Sequence, residues 1–308
     1  MRELIAVGQP IGVKLFSDGV LVIGFSDGDT AAKACGLKEG DIITALGGES
    51  LDTIEELRAC LNANGGSGAE LTVKRGSRTL TLEASPQRDE SGEYRLGAWV
   101  RDSMAGIGTM TFYDPQSGTF GALGHGVTDV DTGKLLPLDH GSIMNASVKA
   151  VKKGEHGAPG ELKGDFDFAR DSGTLYANTE SGIFGKLSAQ DAETIGGKTY
   201  PIAKKKEVRP GQATILAAVS GKETKEYAIE IEKVYPAPDT ARNLLLRVTD
   251  EELLAQTGGV VQGMSGSVIV QNDRIVGAVT HVLLDDPSRG YGIFIGNMLD
   301  AAGLSYEA

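Results

Sequence analysis

The sequence predicts a mostly β protein, in which a small N-terminal module of strands and short helices precedes a larger part built from strands. Three observations lead to this fold class. The chain of 308 residues contains 43 glycines, about twice the usual share of roughly 7%, scattered as tight turns require. Short apolar runs lie between these glycines, and helical periodicity is scarce. The length itself suits about two domains.

The N-terminal module is predicted to span residues 10–86, after a short segment of residues 1–9. Its clearest helix runs to Leu61, because Ile54, Leu57 and Leu61 recur at helical spacing behind a capping Asp52 or Thr53. A second, shorter helix ends before Gly36. The predicted strands lie at residues 11–15, 20–25, 41–46, 71–75 and 79–82.

This order of elements resembles a PDZ domain of the kind that accompanies bacterial proteases, above all in GLKEGDIITALGGESL at residues 36–51. PDZ domains bind a peptide as an added strand and capture its terminal carboxylate with backbone amides. The resemblance implies a capture loop at Ile11, Gly12 and Val13, and a side-chain pocket lined by Ile54 and Leu57. The alternative is that the module only packs against the rest of the protein.

Residues 87–96 are polar and predict a linker, and residues 97–308 are predicted to form the second domain. Many short strands with turn residues between them indicate a barrel or a sandwich. The run 226–235 alternates polar and apolar residues, so one of its faces should be buried. The predicted strands lie at residues 108–113, 213–219, 226–235, 244–248, 267–270 and 275–280.

Two glycine-rich segments of this domain could carry chemistry. His125 lies between two glycines, so its ring has open backbone around it and can face a cleft. Ser265 stands at the tip of a loop between Gly263 and Gly266 that leads into an apolar strand. A serine nucleophile needs an unhindered hydroxyl and converging backbone N–H groups for the oxyanion, which such a loop can supply. A solvent-exposed turn histidine and a serine–glycine hairpin are the simpler interpretations.

The two segments together resemble the stage IV sporulation protein B (SpoIVB) family of serine peptidases. The resemblance rests on FGALGHGVTDVDTG at residues 120–133 and TGGVVQGMSGSVIVQNDRIVGAVTHVLLDDPSRGYGIFI at residues 257–295. It implies a chymotrypsin-like double β-barrel behind the PDZ domain. It also implies a signalling endopeptidase of endospore-forming bacteria, exported into the space between forespore and mother cell. There such an enzyme cleaves a membrane-bound inhibitory subunit, and itself near the N-terminus, so that an intramembrane protease processes a late sigma factor.

By this resemblance Ser265 is the nucleophile, His125 the general base, and the amides of Gly263 and Ser265 the oxyanion hole. The family's acid corresponds to Asp250, although an acidic residue at the start of a helix is also favoured for structural reasons. For His281 a role on the substrate side or in packing is expected. The other candidates for the acid are Asp129, Asp131, Asp165, Asp167 and Asp171.

The charge and the cysteine content limit the classes of partner and cofactor that the chain is expected to bind. The net charge of −12 disfavours nucleic acid and an anionic membrane surface. The family's N-terminal membrane anchor has no counterpart here, so a membrane is expected only through a missing anchor or the substrates. Two cysteines without a CxxC pair or a Cys/His cluster predict neither metal nor cofactor. The expected partners are proteins or peptides. In a peptidase, the PDZ domain could deliver substrates or restrain the enzyme. The alternative is a catalytically silent protein in which the PDZ domain binds peptides and the rest is a scaffold.

Overall fold

The computed structural model describes residues 2–236 and 241–305, and the chain divides into two compact units. The first unit comprises Met1–Lys14, Ala105–Val127 and Gly141–Ala308, and the second comprises Leu15–Met104 and Thr128–His140. These bounds differ from the predicted domains. Two long strands, Pro10–Phe25 and Ala98–Asp114, each contribute residues to both units, so no single linker separates them.

Strands dominate the described residues. The elements up to residue 114 are β1 (Glu3–Ala6), β2 (Pro10–Phe25), α1 (Ala31–Ala34), β3 (Ile42–Leu46), β4 (Glu49–Ser50), α2 (Ile54–Ala63), β5 (Ala69–Arg75), β6 (Arg78–Ala84), β7 (Gln87–Arg88), β8 (Tyr94–Arg95) and β9 (Ala98–Asp114). The next are β10 (Thr119–Ala122), β11 (His140–Lys152), β12 (Glu161–Phe166), β13 (Gly173–Thr179), β14 (Gly182–Leu187), α3 (Ala189–Thr194) and β15 (Lys198–Pro201). A 3₁₀ turn (Lys205–Glu207) precedes β16 (Gly211–Ala217), β17 (Lys225–Val234), β18 (Leu244–Val248), α4 (Glu251–Thr257), β19 (Val268–Gln271), β20 (Arg274–Leu283), β21 (Asp286–Phe294) and α5 (Ile295–Ala301).

The second unit is built on antiparallel pairing of β3 with the end of β2 and with β5, which in turn pairs with β6. Helix α2 closes one face of its apolar core through Leu57 and Leu61. Thr53 caps this helix by accepting from the Glu56 N–H, while the Glu56 side chain accepts from the N–H of Thr53. The predicted helix and its cap are therefore present.

The segment predicted as a linker, residues 87–96, is folded. Strands β7 and β8 pair as a hairpin, and the Tyr94 N–H donates to the Asn62 side chain. Leu96 is buried in the core of the second unit, and its carbonyl accepts from the Ala32 N–H. The polar composition of the segment reflects the outer face of this hairpin, because a single buried leucine is enough to anchor it.

In the first unit, β9 and β14 flank β10, and β14 continues through β13 to β11 and β12. Strand β1 pairs with the end of β9 and with β15. These contacts form an antiparallel sheet that carries the segment after β10, where His125 lies.

The remaining strands of the first unit form a closed antiparallel barrel in the order β16, β17, β18, β21, β20, β19. Its core contains the inward residues of β17, namely Tyr227, Ile229 and Ile231, as the alternation of this run predicts. The β19–β20 turn consists of Asn272 and Asp273, both with positive φ, which suits a two-residue hairpin loop. This turn sets the register between the strand after Ser265 and the strand that carries Thr280 and His281.

Among the helices in the described part of the chain, α2 is the longest with ten residues, and none is long and apolar enough to cross a bilayer.

Candidate active site and peptide groove

Two threonines of β9 hold the glycine-rich loop around Ser265. The Thr109 hydroxyl donates to the Gly263 carbonyl (2.9 Å), and the Thr109 N–H donates to the Ser265 carbonyl (3.0 Å). The Thr111 hydroxyl donates to the Gly266 carbonyl at 2.8 Å. Both threonines are buried, so these bonds are shielded from water. The sequence interpretation missed them, because nothing in β9 distinguishes a clamping threonine from an ordinary strand residue.

These contacts use the carbonyl groups of the loop and not the N–H groups of Gly263 and Ser265. Gly263 and Gly266 both have positive φ, at 95° and 98°. Within residues 2–236 and 241–305, neither the Gly263 N–H nor the Ser265 N–H donates to a protein acceptor. Two such unoccupied backbone donors, one on the serine and one two residues before it, are what an oxyanion hole of this type requires.

The Ser265 hydroxyl donates to the Thr280 carbonyl at 2.7 Å. The register of β20 against β21 shifts between Val279 and His281, so Thr280 is the extra residue of a β-bulge. A bulge turns a strand carbonyl out of the ladder of hydrogen bonds, and here that carbonyl accepts from the Ser265 hydroxyl. Among the described residues, no hydrogen bond joins Ser265 to His125. The Ser265 hydroxyl donates to a backbone carbonyl instead.

His125 follows two residues in the left-handed conformation, Leu123 (φ 69°) and Gly124 (φ 70°). A non-glycine residue in this region carries strain, which is common beside functional sites. A Cβ added to Gly124 would lie 3.0 Å from the methyl of Thr280, so the histidine segment packs against the strand whose carbonyl holds Ser265. Thr280 therefore lies against Gly124, the residue before the predicted base, and also accepts from the predicted nucleophile.

The His125 ring is half-buried and makes one backbone hydrogen bond. Its Nδ1 lies 2.8 Å from the Gly126 carbonyl. A carbonyl can only accept, so Nδ1 carries the proton of this bond and Nε2 keeps the lone pair that a general base needs. Burial lowers the pKa of His125, and the hydrogen bond to Gly126 opposes this in part. The ring is therefore neutral at neutral pH.

Asn178 on β13 fixes the backbone just after His125. Its side-chain oxygen accepts from the Val127 N–H (2.8 Å), and its amide donates to the Val127 carbonyl (2.9 Å). These two bonds restrain the segment that carries the histidine without touching the ring. The sequence interpretation missed Asn178, since an asparagine in a strand with no motif around it gives no signal.

Asp250 caps a helix in this structure. One carboxylate oxygen accepts from the Leu253 N–H (3.0 Å) and the other from the Ala228 N–H (3.2 Å). Hydrogen bonds in the described part of the chain do not join Asp250 to His125. The structure thus brings together His125 and the Ser265 loop but leaves Asp250 as the cap at the N-terminus of α4.

Four of the five other candidate acids bind other groups. Asp129 and Asp131 pair with Arg101 in the second unit. Asp167 accepts from the Ala169 N–H, and Asp171 accepts from the Ser142 hydroxyl. Asp165 lies on β12. Instead of a carboxylate, the group beside His125 is the ring of His281, whose centroid is 5.0 Å away.

The second unit contains a groove of about 710 Å³ beside helix α2. Ile54, Leu57 and Leu61 form its helical side, and the first two of these are the residues that the sequence assigns to a peptide side-chain pocket. Trp99 also lines the groove and is 62% exposed. An exposed tryptophan beside an apolar helix face is suited to hold the side chains of a bound peptide.

The predicted capture loop requires correction. Ile11, Gly12 and Val13 lie inside strand β2, and both apolar side chains are 5% exposed. They also belong to the first unit, where a Cβ on Gly12 would collide with Met144 and Phe166. The amides that would face a peptide carboxylate are therefore not in this segment, because the apolar run continues as one long strand instead of opening into a loop.

The family model described as SpoIVB peptidase S55 matches residues 92–299, about two thirds of the chain. The chain belongs to this family of serine peptidases. A PDZ-domain model matches residues 27–75, within the second unit. The predicted class, a mostly β chain with a PDZ domain and a serine peptidase, is confirmed.

Individual relatives of this SpoIVB-type peptidase share smaller parts. A putative zinc metalloprotease of Clostridium perfringens is 32% identical over 69 residues, which is 22% of this chain and 21% of that protein. The PDZ domain of an SdrC-like protein from Listeria monocytogenes is 22% identical, with a TM-score of 0.25, over 27% of this chain and 87% of that one. The active form of the Rv3671c protease of M. tuberculosis is 14% identical, with a TM-score of 0.36, over 67% and 77%. The chain spans about a fifth of the curated relative.

Chemically, the site of this SpoIVB-type peptidase holds a hydroxyl, a neutral imidazole and two unoccupied N–H donors around β20. That set suits acyl transfer without a metal. Among the described residues, no cluster of histidine, cysteine and carboxylate side chains is placed to hold a metal ion.

Proposed function

We propose that this serine peptidase is a signalling endopeptidase of sporulation, with Ser265 as nucleophile, His125 as general base and the Gly263 and Ser265 N–H groups as the oxyanion hole. One observation carries the catalytic part. The two N–H donors stay free while the loop carbonyls are bound by Thr109 and Thr111, so the donors are preorganised for charge that develops on a substrate carbonyl.

The reaction begins when the Ser265 hydroxyl leaves the Thr280 carbonyl and turns to His125. Its oxygen forms a bond to the scissile carbonyl carbon, and its proton passes to Nε2 of His125. The negative charge moves to the substrate oxygen, which the two N–H groups bind. The His125 proton then passes to the leaving amine, and water repeats the sequence to release the acyl group.

The substrates in this proposal are a membrane-bound inhibitory subunit and the protein's own N-terminal region. Cleavage of the subunit would free an intramembrane protease that processes a late sigma factor, in the space between forespore and mother cell after export. Membership of the SpoIVB peptidase family supports this assignment. The groove beside α2 supports a peptide partner, because Ile54 and Leu57 form an apolar wall of suitable size.

The test compares the wild-type chain with Ser265→Ala in two assays. The first measures cleavage of the reconstituted inhibitory subunit and self-cleavage near the N-terminus. The second measures labelling by a fluorophosphonate probe, which reacts with an activated serine. We expect the variant to fold normally and to lose both cleavage and labelling. Cleavage at the wild-type rate by the alanine variant would refute the nucleophile.

A catalytically silent PDZ scaffold is the second candidate. The observation in its favour is that the Ser265 hydroxyl bonds to the Thr280 carbonyl and not to His125. A silent protein would show peptide binding in the α2 groove, no labelling of Ser265 at any pH, and no cleavage of the subunit. A labelled wild-type chain with an unlabelled Ser265→Ala variant decides against it.

A further inference from the structure

His281 stands beside His125 because of the bulge in β20. Val279 pairs with Gly292 and His281 pairs with Tyr291, so Thr280 is the inserted residue between them. Because of this insertion, the Thr280 carbonyl accepts from the Ser265 hydroxyl, and the next side chain, His281, packs against the ring of His125. One backbone irregularity therefore serves both the proposed nucleophile and the proposed base.

The two imidazole rings pack directly. Their centroids are 5.0 Å apart and the ring planes are tilted by 37°. The Nδ1 atom of His281 is buried and has no hydrogen-bond partner among the described residues. A buried polar atom without a partner is costly and uncommon in folded proteins, so its presence in the ring beside His125 calls for an explanation.

The charge state of His281 follows from its surroundings. Burial, together with the smaller electrostatic effects of His125 and Arg242, lowers the pKa of His281 to about 4. Arg242 precedes β18 and also lies over the ring of Tyr291 on β21. The titratable and charged groups that face His281 are thus His125, Arg242 and Tyr291, and no carboxylate is among the groups that shift its pKa. His281 is neutral at neutral pH.

We propose that His281 is the positioning residue of the catalytic centre: its neutral ring holds the ring of His125 and stabilises the protonated form that His125 takes up during the reaction. This inference rests on the proposed function. In the attack step the Ser265 O–H bond breaks, the proton forms a new bond to Nε2 of His125, and no proton reaches His281. The His281 ring, which packs on His125 and carries the buried, unpartnered Nδ1, is the polar group that can respond to the new positive charge.

The experiment uses the full chain and separates ring packing from polarity. His281→Phe keeps an aromatic ring against His125 but has no nitrogen. His281→Asn loses the ring and places an amide oxygen near the position of Nδ1. The control is His156→Phe, an exposed histidine of the same unit. The second-order rate constant of fluorophosphonate labelling is measured from pH 4.5 to 9, with circular dichroism to confirm folding. In parallel, imidazole NMR titration measures the pKa of His125.

We expect His281→Phe to label at least about tenfold more slowly at neutral pH, with the pKa of His125 moved lower, because the protonated ring loses its polar neighbour. His281→Asn should keep the wild-type pKa of His125 and label faster than His281→Phe. His156→Phe should match the wild type.

Two results would overturn the proposal. One is a His281→Phe chain with the wild-type rate and the wild-type pKa of His125, since the ring would then only fill space. The other is an equal loss in both variants with an unchanged pKa, which a merely structural role produces. The NMR titration does not depend on activity, so failure of the proposed nucleophile, seen as labelling of Ser265→Ala, is distinguished from failure of this inference.

Discussion

Adding one methyl group at Gly266 tests the geometry of the serine loop most directly. Gly266 has φ 98°, and a Cβ there would lie 2.0 Å from the Thr109 carbonyl oxygen and 2.7 Å from the Leu123 nitrogen. Both obstacles are backbone atoms, so no side-chain rotation relieves them. To reach an ordinary contact of 3.4 Å, the loop must retreat from Thr109 by about 1.4 Å.

Two costs follow for Gly266→Ala. The left-handed backbone conformation alone costs roughly 1–2 kcal/mol for a residue with a Cβ. The displacement of the loop is the larger effect on function, because a misplacement of about 1 Å can lower the rate about 100-fold. Since Thr109 also fixes the Gly263 and Ser265 carbonyls, the oxyanion donors move with the loop. We therefore expect a folded protein with about 100-fold slower fluorophosphonate labelling.

The matched control is Gly221→Ala in the same unit. Gly221 also has positive φ, at 62°, but an added Cβ meets nothing within 4 Å. In this variant the only expected effect is the strain of the left-handed backbone conformation. Its free energy of unfolding in urea should therefore fall by roughly 1–2 kcal/mol, while labelling stays at the wild-type rate. The reasoning is refuted if Gly266→Ala labels within about threefold of the wild type, or if both variants lose activity equally.

Two further predictions concern the charges around the site. Because Asp250 acts as a helix cap here, Asp250→Ala should destabilise the chain by about 1 kcal/mol, and Asp250→Asn, which keeps an acceptor, should label within about threefold of the wild type; a loss near 10⁴-fold in Asp250→Asn would instead make it the triad acid. Burial lowers the pKa of His125 below its ordinary 6.5, so the rate of labelling, which needs the neutral ring, should rise with pH to a midpoint below 6.5. A labelling midpoint above 7 would contradict the burial of the base. The lowered pKa values of His125 and His281 also mean that the unfolded chain binds more protons than the folded chain below about pH 6.5. The free energy of unfolding should therefore be highest above that pH and decrease as pH falls toward 4.

Local sequence signals were sufficient for the parts of the fold that depend on local physics. The capped helix at 54–63 and the alternating strand β17 follow from spacing alone, because capping and amphipathic burial involve neighbours in the chain. The conformations of residues 87–96 and of Ile11–Val13 could not be predicted from local spacing. Their outcome depends on distant partners, such as Ala32 for Leu96 and Met144 for Gly12, which no local pattern announces.

The same distinction explains the site. Ser265 and His125 are visible in sequence because glycines around them leave an open backbone, and glycine is a local feature. Thr109, Asn178 and the acceptor on Thr280 are invisible, because each acts through a backbone contact made across strands. Asp250 shows the converse, since the pattern of an acid before a helix suits both a cap and a catalytic group, and only the contacts separate the two.

The bulge at Thr280 connects these observations. A regular β20 would keep the Thr280 carbonyl in the ladder with β21 and would turn residue 281 to the other face, because side chains alternate along a strand. One inserted residue therefore decides both where the Ser265 hydroxyl rests and which ring lies against His125. In the proposed reaction, the bond between the Ser265 hydroxyl and the Thr280 carbonyl must break before Ser265 can reach His125. The same bulge that brings His281 to the ring of His125 therefore also holds the hydroxyl away from the proposed base.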